Sequence, residues 1–137
     1  MKTIAYRLVD GCAVVAFGKN PPTATDWSLY TTFIRSECGT LPRQRGLVIL
    51  HGASIGGDQR RELDQLVNER TKDRKVAVVT SLTFIRGFVR ALAVSDPAYK
   101  TFEPSELEQA LRYLDIRERF WQEMQRALED VSHEVGC

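Results

Sequence analysis

Two apolar, β-rich runs open the chain, over residues 3–9 and 12–17, with Asp10-Gly11 between them. An Asp-Gly pair in that place predicts a β-hairpin, because both turn positions need a positive φ that these residues tolerate. Gly18-Lys19-Asn20-Pro21-Pro22 ends the pattern, since two adjacent prolines stop a ladder and force an extended connection. Trp27, Tyr30 and Ile34 then recur at helical spacing with Phe33 beside them, which predicts an amphipathic helix over 25–37. Thr23 and Asp26 resemble a capping box at its start, and Gly39 and Pro42 end it.

Leu47–Leu50 and Val76–Val79 are short continuous apolar runs, the pattern of strands covered on both faces. Between them lies a polar, glycine-rich bend, His51–Asp58, and Asp58 is placed to cap a helix over 59–71 with a narrow stripe of Leu63, Leu66 and Val67. Ser81 is placed to cap the next helix, whose Phe84, Ile85, Phe88, Val89 and Leu92 make a wide apolar face. Asp96-Pro97 breaks it, and Tyr99–Phe102 reads as a short strand. Ser105 and Glu108 have capping-box spacing ahead of Leu107, Ala110, Leu111 and Leu114. A last helix over 117–131 carries Phe120, Trp121, Met124, Leu128 and Val131 on one side. The order ββαβαβαβαα predicts an α/β domain: a mixed, mostly parallel sheet opened by an antiparallel hairpin, with helices packed on it and an extra C-terminal helix.

With 137 residues, the chain has room for one ordinary core and not for two. The net charge of +1 gives no bulk attraction to nucleic acid. That balance is uneven along the chain: residues 1–102 hold fifteen basic and nine acidic groups, residues 103–137 four and nine. An acidic C-terminal segment therefore follows a mildly basic body. There is no apolar run of 18 residues to span a membrane and no signal-peptide pattern at the N-terminus. Three sparse cysteines, Cys12, Cys38 and Cys137, read as reduced thiols of a cytoplasmic protein.

One stretch resembles a known family. Lys75-Val76-Ala77-Val78-Val79-Thr80, a helix, Tyr99-Lys100-Thr101-Phe102, and then Pro104-Ser105-Glu106-Leu107-Glu108-Gln109-Ala110-Leu111-Arg112-Tyr113-Leu114 are similar to the STAS superfamily, in its SpoIIAA-like branch of bacterial anti-sigma-factor antagonists. The resemblance spans about residues 3–115 in element order and only the second half in residues. It implies a STAS-like domain over 1–116, a C-terminal amphipathic helix and tail over 117–137, and a non-catalytic role in regulation through protein binding. In signalling members a Ser or Thr after the third strand is phosphorylated at a helix N-terminus, where negative charge is favoured. Here that position falls close to Asp58, with Ser54 earlier in the loop. Asp58 then reads either as a plain helix cap or as a permanently charged stand-in.

The candidate chemistry is sparse. His51, Ser54 and Asp58 share the letters of a hydrolytic triad, but triads assemble from separate loops, and local loop hydrogen bonds explain these three as well. Gly52, Gly56 and Gly57 match neither a phosphate loop nor a dinucleotide fingerprint. The histidines and cysteines show no metal-ligand spacing, so no cofactor or metal is expected. Arg86 and Arg90 stand at i,i+4, with Arg60 and Arg61 on the preceding helix. They read as a docking patch for an acidic partner or as a solvated face. Substituting Arg86 and Arg90 with Glu is expected to weaken partner binding without lowering the melting temperature. Phe120, Trp121 and Met124 read either as interface anchors, including those of a homodimer, or as a helix folded back over the sheet. The rival reading is a carrier of a small molecule or lipid, of SEC14-like character, which needs an apolar pocket. A third is a hydrolase using Ser54 and His51.

Overall fold

A computed structural model describes residues 1–38, 41–52, 58, 59, 61, 62, 65, 73–83, 85–87, 89, 90 and 98–137. Five strands form one sheet in the order β1 (Ile4–Val9), β2 (Cys12–Phe17), β3 (Gln44–Leu50), β4 (Arg74–Val79) and β5 (Tyr99–Phe102). The first pair is antiparallel and the other three are parallel, as the element order predicts. Asp10 and Gly11 both take positive φ, 50° and 70°, in a two-residue turn that pairs Val9 with Cys12. Such a turn matches the twist of the strands it joins.

The crossovers advance one strand at a time in a single direction, from β2 to β5. Right-handed connections then deliver their helices to the same face of the sheet. Helix α1 (Ala24–Phe33) packs there, with Trp27, Tyr30 and Ile34 against Ile4, Ala13, Val15 and Phe17. Ile85 and Val89 pack on Val78 of that face. None of the described crossover residues joins the core on the opposite face. It is covered by α2 (Leu107–Tyr113) and α3 (Trp121–Glu134), whose Leu111, Met124, Leu128 and Val131 share one core with Val14, Leu47, Ala77 and Val79. β2 lies between these layers and is buried at all six positions.

Several local expectations shift. The predicted helix over 25–37 is α-helical only to Phe33 and widens into a π-turn over Ile34–Cys38, which turns both Ile34 and Cys38 inward. Thr23 caps α1 as expected, taking the Asp26 N–H at 3.1 Å. The main partners of the Asp26 carboxylate lie elsewhere: it accepts from the Thr3 backbone N–H at 2.8 Å and the Thr3 hydroxyl at 2.7 Å. The start of α1 is thereby tied to the residue that precedes β1. The second predicted box also moves: Glu103 and Glu106 form it, with Pro104 in the first turn, in place of Ser105 and Glu108. Proline fits there because that position has no helical N–H to lose.

The amino edge of the parallel strands is tied by charge. Asp115, at φ 58°, accepts from Arg43 at 2.8 Å and Lys75 at 3.1 Å, and these bonds hold its carboxyl below the usual carboxylate range. Arg45 donates to the carbonyls of Asp10, Leu114 and Asp115, joining the hairpin turn to the end of α2. Arg117 pairs with Asp10 at 2.5 Å.

Candidate functional site

In open parallel sheets the carboxyl ends of the strands are the usual place for ligands, because the chain turns there leave side chains and backbone amides free of the ladder. In this fold that edge carries Lys19 after β2, His51 and Gly52 after β3, Thr80 after β4 and Glu103 after β5. The last turn of α3 reaches the same edge. The His51 Nε2 lies 3.1 Å from the Ser132 hydroxyl, and the His51 backbone N–H donates to the Phe17 carbonyl at 3.2 Å. Half-burial, and then the nearby Lys19, lower the His51 pKa from its ordinary 6.5, so the ring is neutral at pH 7.

The sign of the resulting pH dependence follows directly. A histidine that is harder to protonate in the folded state leaves the unfolded chain with more bound protons below about pH 6.5, so stability falls as pH falls through that value. His51→Gln keeps a hydrogen-bonding group near Ser132 and removes the titration. Thermal melts at pH 7 and pH 5.5 should show a smaller loss of melting temperature in the variant than in the parent. An equal loss in both would assign the drop to other groups.

Thr80 is buried and fully engaged: its hydroxyl donates to the Leu50 carbonyl at 3.2 Å and accepts from the Leu82 N–H at 3.1 Å. Ser81, expected to cap the next helix, is exposed, and the Thr80 hydroxyl holds the chain at Leu82, just ahead of that helix. A threonine at a strand end can serve two chains at once, and only the register of β3 beside β4 reveals that. Glu103 is a second residue the sequence did not single out. Its carboxylate accepts from Arg86 at 2.6 Å, while its backbone N–H donates to Glu106 at 2.8 Å. The acidic cap of one helix thus fixes an arginine of another.

The predicted partner-binding residues separate into three groups. Arg86, Arg90, Arg61 and Asp58 are placed, whereas Ser54 and Arg60 lie outside the described residues. Arg86 is only 23% exposed and is held by Glu103 and, at 3.4 Å, by the Thr83 hydroxyl. Its reversal to Glu would face the Glu103 carboxylate, so the expectation of an unchanged melting temperature is corrected for Arg86. Arg90 is exposed. Arg61 pairs with Asp58, both highly exposed, a geometry that contributes little to stability. Asp58 points to Arg61, and His51 to Ser132, so the described contacts do not gather His51 and Asp58 into a triad.

Met124 is fully buried under the sheet, which corrects its reading as an interface anchor. Phe120 and Trp121 are half-buried and pack on the same core, with the Trp121 indole N–H donating to the Ile116 carbonyl at 2.9 Å. Residues 117–137 are accordingly part of the domain core and not an appendage to 1–116. Among the described residues no group of three or more His, Cys, Asp or Glu is arranged to hold a metal ion. No helix among them is long and apolar enough to cross a membrane. The chain matches no known family profile, no curated protein and no solved structure.

Proposed function

We propose that this chain is a non-catalytic, cytoplasmic regulatory domain of STAS-like, SpoIIAA-like character, which acts by docking a protein partner at the carboxyl edge of its sheet. The observation that carries the reading is the immobilised Arg86. Glu103 and Thr83 hold its guanidinium in one orientation at that edge, next to the exposed Arg90 on the following turn. An arginine already ordered by its neighbours loses less side-chain freedom when a partner carboxylate arrives. Asp58 and Arg61 stand on the connection after β3, where the resembled family places its regulated loop.

The test uses the exposed members of the patch. Arg61→Glu with Arg90→Glu should leave the melting temperature within about 2 °C of the parent, since surface changes of this kind stay near ±0.5 kcal/mol. Affinity capture from the source organism, quantified by mass spectrometry, should then show a protein retained by the parent and lost by the double variant. Capture that is identical for both proteins would remove the carboxyl edge from the docking surface.

A further inference from the structure

The opposite, amino edge carries a cluster of basic side chains among the described residues. The starts of β3, β4 and β5 bring five basic side chains there, and the junction of α2 and α3 brings Arg112, Arg117 and Arg119. Against these eight stand four carboxylates among the described residues, Asp10, Asp73, Asp115 and Glu118. Three of the four are spent on Arg43, Lys75 and Arg117. Lys100, Arg112 and Arg119 are exposed and have no carboxylate partner among the described residues.

These cations are also ordered. Arg112 lies 5.4 Å from the Trp121 ring centroid, and Arg117 and Arg119 lie 4.8 and 5.0 Å from that of Phe120. Lys100 sits 5.6 Å from the Tyr113 ring and 5.5 Å from Phe102. The rings themselves are anchored: Trp121 donates to Ile116, and the Tyr113 hydroxyl donates to the Ala98 carbonyl at 2.7 Å. A guanidinium resting on a ring face keeps its N–H edge turned outward for an oxyanion, with part of its freedom already lost.

We infer that this amino-edge stripe, Lys100 over Tyr113, Arg112 over Trp121 and Arg119 over Phe120, is a docking surface for a carboxylate-rich segment of a partner protein. Charge complementarity selects an acidic occupant. The rings argue against single-stranded nucleic acid, which needs bare aromatic faces for its bases, because cations already lie over them. Interspersed carboxylates also interrupt any continuous track for a phosphate backbone. Separate side-chain carboxylates can pair with Arg112, Arg119 and Lys100 one at a time. This surface is distinct from the carboxyl edge, so the two proposals stand or fall separately.

Fluorescence anisotropy with a labelled ten-residue glutamate-rich peptide tests it on the full chain. The parent should bind, more weakly as salt is raised from 50 to 300 mM. Arg112→Glu with Arg119→Glu should weaken binding at least tenfold, Arg112→Gln with Arg119→Gln less so, and Arg61→Glu with Arg90→Glu should leave it unchanged. Melting curves establish that each variant is folded, and the glutamine pair decides the question if the glutamate pair is not. Absence of peptide binding, or binding untouched by the Arg112 and Arg119 changes, would overturn the inference. Tighter binding of a ten-residue oligothymidine, or of vesicles containing 30% phosphatidylserine, would overturn it in favour of that partner.

Discussion

A chain ended at Ile116 is expected to lose cooperative folding altogether. The described crossover residues that enter a core pack on one face of the sheet, and α3 is what covers β1 and β2 on the other. Without it Ala5, Val9, Cys12, Val14 and Ala16 would face water across two adjacent strands. Met124 and Val131, both at 0% exposure, are its deepest side chains. Met124→Ala alone should cost about 2–5 kcal/mol, the range for emptying a large core position. A domain of this size holds roughly 5–15 kcal/mol in all, so removing the whole apolar stripe exceeds what remains. Urea unfolding followed by circular dichroism reads both. A sigmoidal transition at the parent midpoint for residues 1–116 would show that α3 is dispensable.

Thiol chemistry gives the second large effect. Burial, partly countered by Arg45, pushes the Cys12 thiol up to about 12, and burial pushes that of Cys38 up to about 11. Cys137 is exposed. At pH 8 a thiol with a pKa near 12 is ionised in roughly one molecule in ten thousand, and the thiolate is the reactive form. Native protein should therefore react with an alkylating reagent at Cys137 on the minute scale, with Cys12 and Cys38 slower by several orders of magnitude. Denaturant should release all three. Peptide mapping after timed alkylation identifies the sites. The two experiments are coupled, since Cys12 lies beneath α3: in the chain ended at Ile116 it should become reactive without denaturant. Fast native labelling of Cys12 would contradict the buried position of β2.

The element pattern was legible because it rests on neighbours in sequence. Asp10-Gly11 carries its own turn, and Trp27, Tyr30 and Ile34 mark a helical face by spacing alone. The caps were less legible. Ser105 had the right spacing but lost to Glu103, whose following proline starts the turn two residues earlier. Asp26 has capping-box spacing from Thr23, yet its carboxylate serves Thr3, twenty-three residues away. The candidate site was legible in its residue types and not in its pairings. Arg86 looked like a free surface cation until β5 brought Glu103 to it, and His51 looked like a loop residue until α3 brought Ser132 within 3.1 Å.

The fate of the C-terminal segment separates the two levels of information most clearly. Spacing along the chain is enough to show an amphipathic, acidic helix in this segment, since these properties are set by residues three and four apart; its α-helical part runs from Trp121 to Glu134 after a 3-10 turn over Glu118–Phe120. The tertiary structure alone decided what that helix is for. Right-handed crossovers running in one direction put their helices on one face of a sheet, and the apolar stripe of α3, with α2, covers the other. The same return path carries Arg112, Arg117 and Arg119, which belong to the acidic last quarter of the chain, onto the amino edge beside Arg43, Arg45, Lys75 and Lys100. Charge summed along a sequence cannot show this, because Coulomb interactions follow distance in space.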